Sequence, residues 1–200
     1  MKSSPPALCA LAFALLSPLG LHAQPAPPPP ATPFPAPAQP RARTSPHDTI
    51  SARIDGNRVM IVYGRPYSKD PKTGEMRKIW GALIPYDKAW RTGADEATLL
   101  ITQQAIELGG TLIPAGAYTL YTLPAADGSA RLLVNKKIGQ WGAEPYDEKT
   151  EFARIDLKKD ALPLPLDQFA MAIEKNPAGG GIIKLRWEST QFSVAYTVKK

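Results

Sequence analysis

The sequence predicts an all-β fold: a single antiparallel β-sandwich, jelly-roll-like or barrel-like, of about nine or ten strands with little helix. Apolar residues recur at every second position over most of the chain beyond residue 46, the pattern of strands that bury one face. Glycine-bearing turn signals separate these runs at short intervals. No long stretch keeps an uninterrupted 3.6-residue apolar period, so helix has no amphipathic face from which to pack.

The strands follow one another in order. "TISARI" and "RVMIVY" are joined through Asp55-Gly56-Asn57, "AIEL" and "TLI" through Gly109-Gly110, and "YTLYTLP" and "RLLVN" through Asp127-Gly128. Glycine supplies the positive φ that tight hairpin tips demand. "FARIDL" aligns Ala153, Ile155 and Leu157 on one face, and "QFAMAIEK" aligns Phe169, Met171 and Ile173. Residues 176–181 then turn the chain into "GIIKLRWES", with Ile183, Leu185 and Trp187 on one face, followed by "QFSVAYTV", with Phe192, Val194, Tyr196 and Val198. The best local helix candidate, Asp87 to Arg91, is a turn at most.

The first 46 residues read differently. Met1 and Lys2 begin a charged start, "ALCALAFALL" is an apolar core, and Leu21-His22-Ala23 ends in a small residue, which predicts a secretory signal peptide over 1–23 cleaved near Ala23. The apolar run falls well short of the roughly 20 residues a membrane span needs, so no span is expected in the mature protein. Residues 24–46 hold 10 prolines in 23 positions and read as an extended, Pro-rich disordered leader. The folded domain is expected over 47–200, in a periplasmic or secreted bacterial protein.

Composition removes several functions. Cys9 is the one cysteine and lies in the signal, so the mature chain has no disulfide, thiolate nucleophile or thiolate metal site. Over 47–200, 21 Lys and Arg against 18 Asp and Glu leave a net charge of +3 without blocks, which supplies no basic stripe for nucleic acid. The histidines are His22, in the signal, and His47, at the edge of the leader. A domain core without His or Cys predicts neither a Ser-His-Asp centre nor a His-ligated metal, and no cofactor is expected. Nucleotide-binding glycine loops are absent from the sequence.

What chemistry remains is carboxylate, aromatic and cationic. "AWRTGADEAT" gathers Trp90, Arg91, Asp95 and Glu96 around Gly93. Neighbours on a strand point to opposite faces, so Asp95 and Glu96 would share a reaction centre only in a turn; Arg91 and Glu96 are a candidate pair bracing such a turn. Tyr63 and Arg65 in "VYGRPY", Lys88, Trp90 and Arg91 in "IWGALIPYDKAWRTG", Glu96 in "AWRTGADEAT", and Asn135, Gln140 and Trp141 in "NKKIGQWG" are the candidate ligand-binding residues. Aromatic faces beside Arg and amides suit carbohydrates or planar anions.

Taken together, "VYGRPY", "KIWGALIPYDKAWRTGADEAT", "IELGGTLIPAGAYTLYTLP", "LLVNKKIGQWGAEPYD" and the Trp187 strand resemble a bacterial family catalogued as a domain of unknown function, numbered twenty-nine eleven. The resemblance runs in order over roughly Ile50 to Val198 and implies an exported protein with one β-rich domain, without an activity to carry over. "SKDPKTGEM", residues 68–76, looks longer than that family's usual link.

The expected function is a non-enzymatic module that binds a small polar or glycan-like ligand. The alternatives are a hydrolase using Asp95 or Glu96 as acid or base, and a structural protein that contacts a cell-envelope partner.

Overall fold

A computed structural model of the chain describes residues 43–142 and 145–199, which belong to one compact unit, Arg41–Lys200. The expected signal peptide and leader residues 24–42 lie outside the described residues. The strands are β1 (His47–Ile54), β2 (Asn57–Gly64), β3 (Thr98–Thr102), β4 (Ile106–Leu108), β5 (Thr111–Ile113), β6 (Gly116–Pro124), β7 (Ala130–Asn135), β8 (Glu151–Lys175) and β9 (Gly181–Val198). The helical element among the described residues is a single 3-10 turn, Glu148–Thr150.

All strand pairs are antiparallel, in the order β1-β2-β3-β6-β7-β8-β9-β4-β5. β1 and β2 turn through Asp55 (φ 49°) and Gly56 (φ 81°), so both tip residues take the left-handed conformation of a type I′ hairpin. Asn57 locks that hairpin to the next connection: its amide donates to Thr102 Oγ1 at 2.8 Å and its carbonyl accepts from Gln104 N at 2.9 Å.

β8 carries the architecture. "FARIDL" and "QFAMAIEK", two runs in the sequence, are the ends of one 25-residue strand. Its first part pairs with β7 up to Leu157, and from Lys158 it pairs with β9. The β8–β9 register shifts between Ala161 and Leu166 and again between Leu166 and Ala170. Pro163 and Pro165 fall in that stretch and have no N–H to give to a ladder, which explains why pairing is interrupted there.

The apolar faces on both sides of β8 meet in one core. Val59 and Ile61 of β2, Leu100 of β3, Leu120 of β6 and Leu132 of β7 join Ile106, Ile183, Leu185, Trp187 and Tyr196 in a single buried cluster. Its aromatic part stands at the end that carries the site. Trp90 stacks on Trp187 at 5.8 Å between centroids and 26° between planes, and Phe169 and Trp80 meet both rings edge-on.

Trp187 is 1% exposed, and the loop bearing Trp90 rests on its face. Trp187→Ala should therefore cost about 3–5 kcal/mol of unfolding free energy in urea titrations, and Trp187→Phe distinctly less, because a second ring keeps part of the stacking.

Candidate functional site

Beyond Leu120, β6 leaves its β3 flank, and the chain around Trp90 fills the vacated place. Trp90 N donates to Thr122 O at 2.8 Å and Thr122 N donates to Trp90 O at 2.7 Å. β3 resumes the same flank at Thr98, opposite Leu120. Residues 91–98 are thus an excursion from one strand line, closed at its neck by Thr98 N donating to Arg91 O at 3.1 Å and Thr98 Oγ1 donating to Thr92 O at 2.7 Å.

The excursion is held in costly backbone geometry. Thr92 has φ 56° and Asp95 φ 64°, left-handed values that non-glycine residues avoid. Its neighbours impose them. Ala94 N donates to Gly64 O, Ala97 N to Gln140 O at 2.9 Å, and Gly142 N to Asp95 O at 2.9 Å. Gly64 is glycine because a Cβ there would stand 2.2 Å from Ala94 O.

With this turn, Asp95 and Glu96 do converge, on a residue that the sequence reading left at the border of the leader. His47 Nε2 lies 3.1 Å from Asp95 Oδ2 and 3.4 Å from Glu96 Oε2. His47 opens β1, whose register with Gly64 sets it beside the excursion. The expectation that no histidine accompanies the motif is corrected: pairing of β1 with β2 brings one in from 48 residues away in the chain. No group of His, Cys, Asp and Glu side chains among the described residues is arranged to hold a metal ion.

Glu96 takes Arg43, not Arg91, as its partner: Arg43 Nε donates to Oε1 at 2.9 Å and to Oε2 at 3.2 Å, and Nη2 donates to Oε1 at 2.5 Å. Burial alone would push the Glu96 carboxyl up, but the Arg43 hydrogen bonds and charge, with His47 adding to them, hold it below its ordinary value. The expected Arg91–Glu96 brace is absent.

Arg91 itself makes no side-chain hydrogen bond and no ion pair within 4.0 Å among the described residues, although the charge of Asp95 lies near enough to favour its protonated form. Its Nε is buried and unpartnered, and the guanidinium lies against Gly142, where a Cβ would come within 2.2 Å of Nε. Burial lowers its pKa, against the opposing charge of Asp95 and the influence of Tyr121. Two cavities flank it. One, of about 180 Å³, is lined by Tyr67, Arg77, Trp90, Arg91, Asp95 and Trp187 among others. The second, of about 210 Å³, shares Leu83, Trp90 and Arg91 with the first and adds Lys88, Tyr121 and Tyr146.

The other sequence candidates divide between brace and wall. Tyr63 is a core residue: it is 2% exposed, its hydroxyl accepts from Met171 N at 3.0 Å, and burial raises its pKa. Arg65 reaches Phe169 O at 3.3 Å and Asp48 at 3.5 Å. Asn135 donates to Asp147 O and accepts from Lys137 N, which shapes the connection between β7 and β8. Gln140 accepts from the Tyr121 hydroxyl at 2.9 Å and keeps a buried, unpartnered amide nitrogen, while Trp141 pairs its backbone with Glu96. Lys88, Trp90 and Arg91 share one cavity wall, whereas Tyr63, Glu96 and His47 line a different, largely apolar cavity of about 330 Å³.

Sequence reasoning assigned neither His47 nor Arg77 to the site. Arg77 follows the long "SKDPKTGEM" link and is tied back to it, donating to the carbonyls of Ser68 and Tyr67. Only the length of that link was a signal.

Two measurements check this geometry. Gly64→Ala should lose about 1–3 kcal/mol in urea unfolding, because the new methyl drives Ala94 and its strained neighbours outward. Glu96 is depressed in the folded state, so its stabilisation is present above the ordinary value of 4.5 and is lost as pH falls through the lower folded value. In acid titrations followed by circular dichroism, Glu96→Gln should therefore flatten the loss of stability below pH 4.5 while leaving the remaining acid transition in place.

Comparison with known proteins gives one result. The family model described as "Protein of unknown function (DUF2911)" matches residues 45–196. No curated protein and no solved structure matches the chain.

Proposed function

The chain belongs to the DUF2911 family of proteins of unknown function, and on the geometry of its own residues we propose that it is a binding module for a small polar or glycan-like ligand that carries a carboxylate. The observation that supports this most is the buried, unpartnered Nε of the Arg91 guanidinium, which lines two cavities. A buried charge without a partner is expensive in a molecule that lacks its ligand, and a carboxylate accepting both arms of a guanidinium is its best complement. Trp90 and Tyr67 add aromatic surface of the kind that sugar rings pack on, and Arg77 adds a second positive charge. Asp95 on the same wall disfavours ligands with more negative charge beside that position. The volumes suit a monosaccharide-sized molecule rather than a polymer. We further infer, from the N-terminal sequence alone, that the domain acts after export to the periplasm or the exterior.

A catalytic reading is kept alive by one feature, the contact between His47 and the Asp95–Glu96 pair. It would replace the two-carboxylate hydrolase with a histidine held by carboxylates. If the chain turns over any sugar ester or amide, Asp95→Asn should abolish that turnover.

Binding is tested by thermal unfolding with hexuronic acids, the matching neutral hexoses and acetate. At about ten times its dissociation constant a hexuronate should raise Tm by about 3–6 °C. The neutral hexose should not, and Arg91→Gln should erase the shift while remaining folded. Equal shifts for neutral and acidic sugars, or none for any anion, would overturn the reading.

A further inference from the structure

The five residues Arg43–His47 run along the excursion and separate two cavities. Thr44 and Ser45 line the cavity that holds Arg91. Arg43 and His47 line the apolar one, beside Val62, Leu99 and Ile138. The segment is therefore a shared wall. None of its side chains joins the buried apolar core.

Its last two residues are held by the backbone and its first by charge. Pro46 O accepts from Arg65 N at 2.7 Å, where the segment enters β1. Ahead of that point the described fastening is the Arg43 fork on Glu96, while His47, already in the β1 ladder opposite Gly64, contacts Asp95 and Glu96 with its side chain. The charged groups facing the segment are thus Asp95 and Glu96 from the excursion, Arg77 and Arg91 across the cavity, and the Arg65–Asp48 pair beside its exit. The Arg43 and Glu96 side chains are 55% and 35% exposed, so water and salt weaken their attraction. The opposite wall of the Arg91 cavity is held by backbone hydrogen bonds at the neck of the excursion and by stacking on Trp187. Of the two walls, the part made of Arg43–Ser45 is much the easier to open.

We propose that Arg43–Ser45, hinged where Pro46 enters β1, is a latch over the Arg91 cavity, fastened to the excursion through the Arg43 fork on Glu96, and that its release admits the ligand. The role in admission rests on the binding reading given above. The latch itself is a property of the free protein. Glu96 sits beside Asp95, which lines the Arg91 cavity, so ligand charge arriving at Arg91 and the fastening of Arg43 act on neighbouring residues of one rigid turn. The same placement explains why two adjacent carboxylates occur in the turn: Asp95 faces the cavity and His47, while Glu96 takes the fork of Arg43.

The chain offers a clean test, because Cys9 is its one cysteine. In the full-length protein carrying Cys9→Ser and Ser45→Cys, the thiol at 45 is the sole target for iodoacetamide, a neutral reagent whose access does not depend on local charge. Labelling should be slower than in the urea-unfolded chain. Arg43→Ala or Glu96→Gln should each speed it by about two- to fivefold, the two together by no more than either alone, and 0.5 M salt, about the strength at which exposed pairs are screened, should speed the parent but neither variant. Amide exchange of Thr44 and Ser45 in the unmodified chain supplies the same comparison if Ser45→Cys does not fold. Rates indifferent to Arg43→Ala and Glu96→Gln by both measures would overturn the latch. No ligand is present in either assay, so failure of the latch and failure of the hexuronate screen are read separately.

Discussion

Two backbone hydrogen bonds between Trp90 and Thr122 are the constraint on which the site depends. They place residue 90 on the flank of β6 that β3 leaves open, so that the chain must depart at Arg91 and return at Thr98 to the same line. The length of that detour, its closed neck and the glycine contacts at Gly64 leave little freedom for what lies between. Positive φ at Thr92 and Asp95 follows from this enclosure, since an isolated Thr or Asp would not choose it. Trp90 gains a second anchor by stacking on Trp187, so the detour is tied both to the sheet's hydrogen-bond ladder and to its core.

The detour also sorts charge. Arg91, at its start, lies half-buried against Gly142 and lines two cavities; Glu96, near its end, is partly exposed and takes Arg43. These environments give opposite physical outcomes. An exposed pair such as Arg43–Glu96 contributes modestly to stability and yields to salt. A half-buried guanidinium with an unpartnered Nε costs stability, a cost that an arriving anion would offset. Stability and binding thus pull against each other at Arg91, while the aromatic cluster of Trp80, Trp90, Phe169 and Trp187 supplies the packing that lets the fold carry such a group.

β8 has the same kind of influence at larger scale. By pairing first with β7 and then with β9, one strand serves both halves of the hydrogen-bonded series and lets their apolar faces close on each other. Its two interior prolines fall where the register breaks, so the irregularity sits where Pro66 O and Phe169 N bond and Gln168 reaches Arg65. The chain between β2 and the excursion is thereby anchored to the far half of the sheet. Arg77 and Tyr67, on that connection, stand at the cavity as a result.

The sequence alone determined the strands, their buried faces and their hairpin tips, because alternation and glycine turns are local signals: Ile183, Leu185 and Trp187, or Asp55 and Gly56, need no distant partner to be read. It also marked "AWRTGADEAT" as the unusual stretch, by density of functional groups. It could not tell that "FARIDL" and "QFAMAIEK" are one strand, since prolines between apolar runs read equally well as a break. Nor could it pair the charges. Arg91 and Glu96 lie five residues apart and invite each other, yet the closed neck turns them away from one another. Arg43 and His47 lie some fifty residues distant and are brought in by the β1–β2 register. Which groups meet depended on strand pairing and on the close approach of Gly64 and Gly142, interactions between segments far apart in the chain, and so only the tertiary structure decided it.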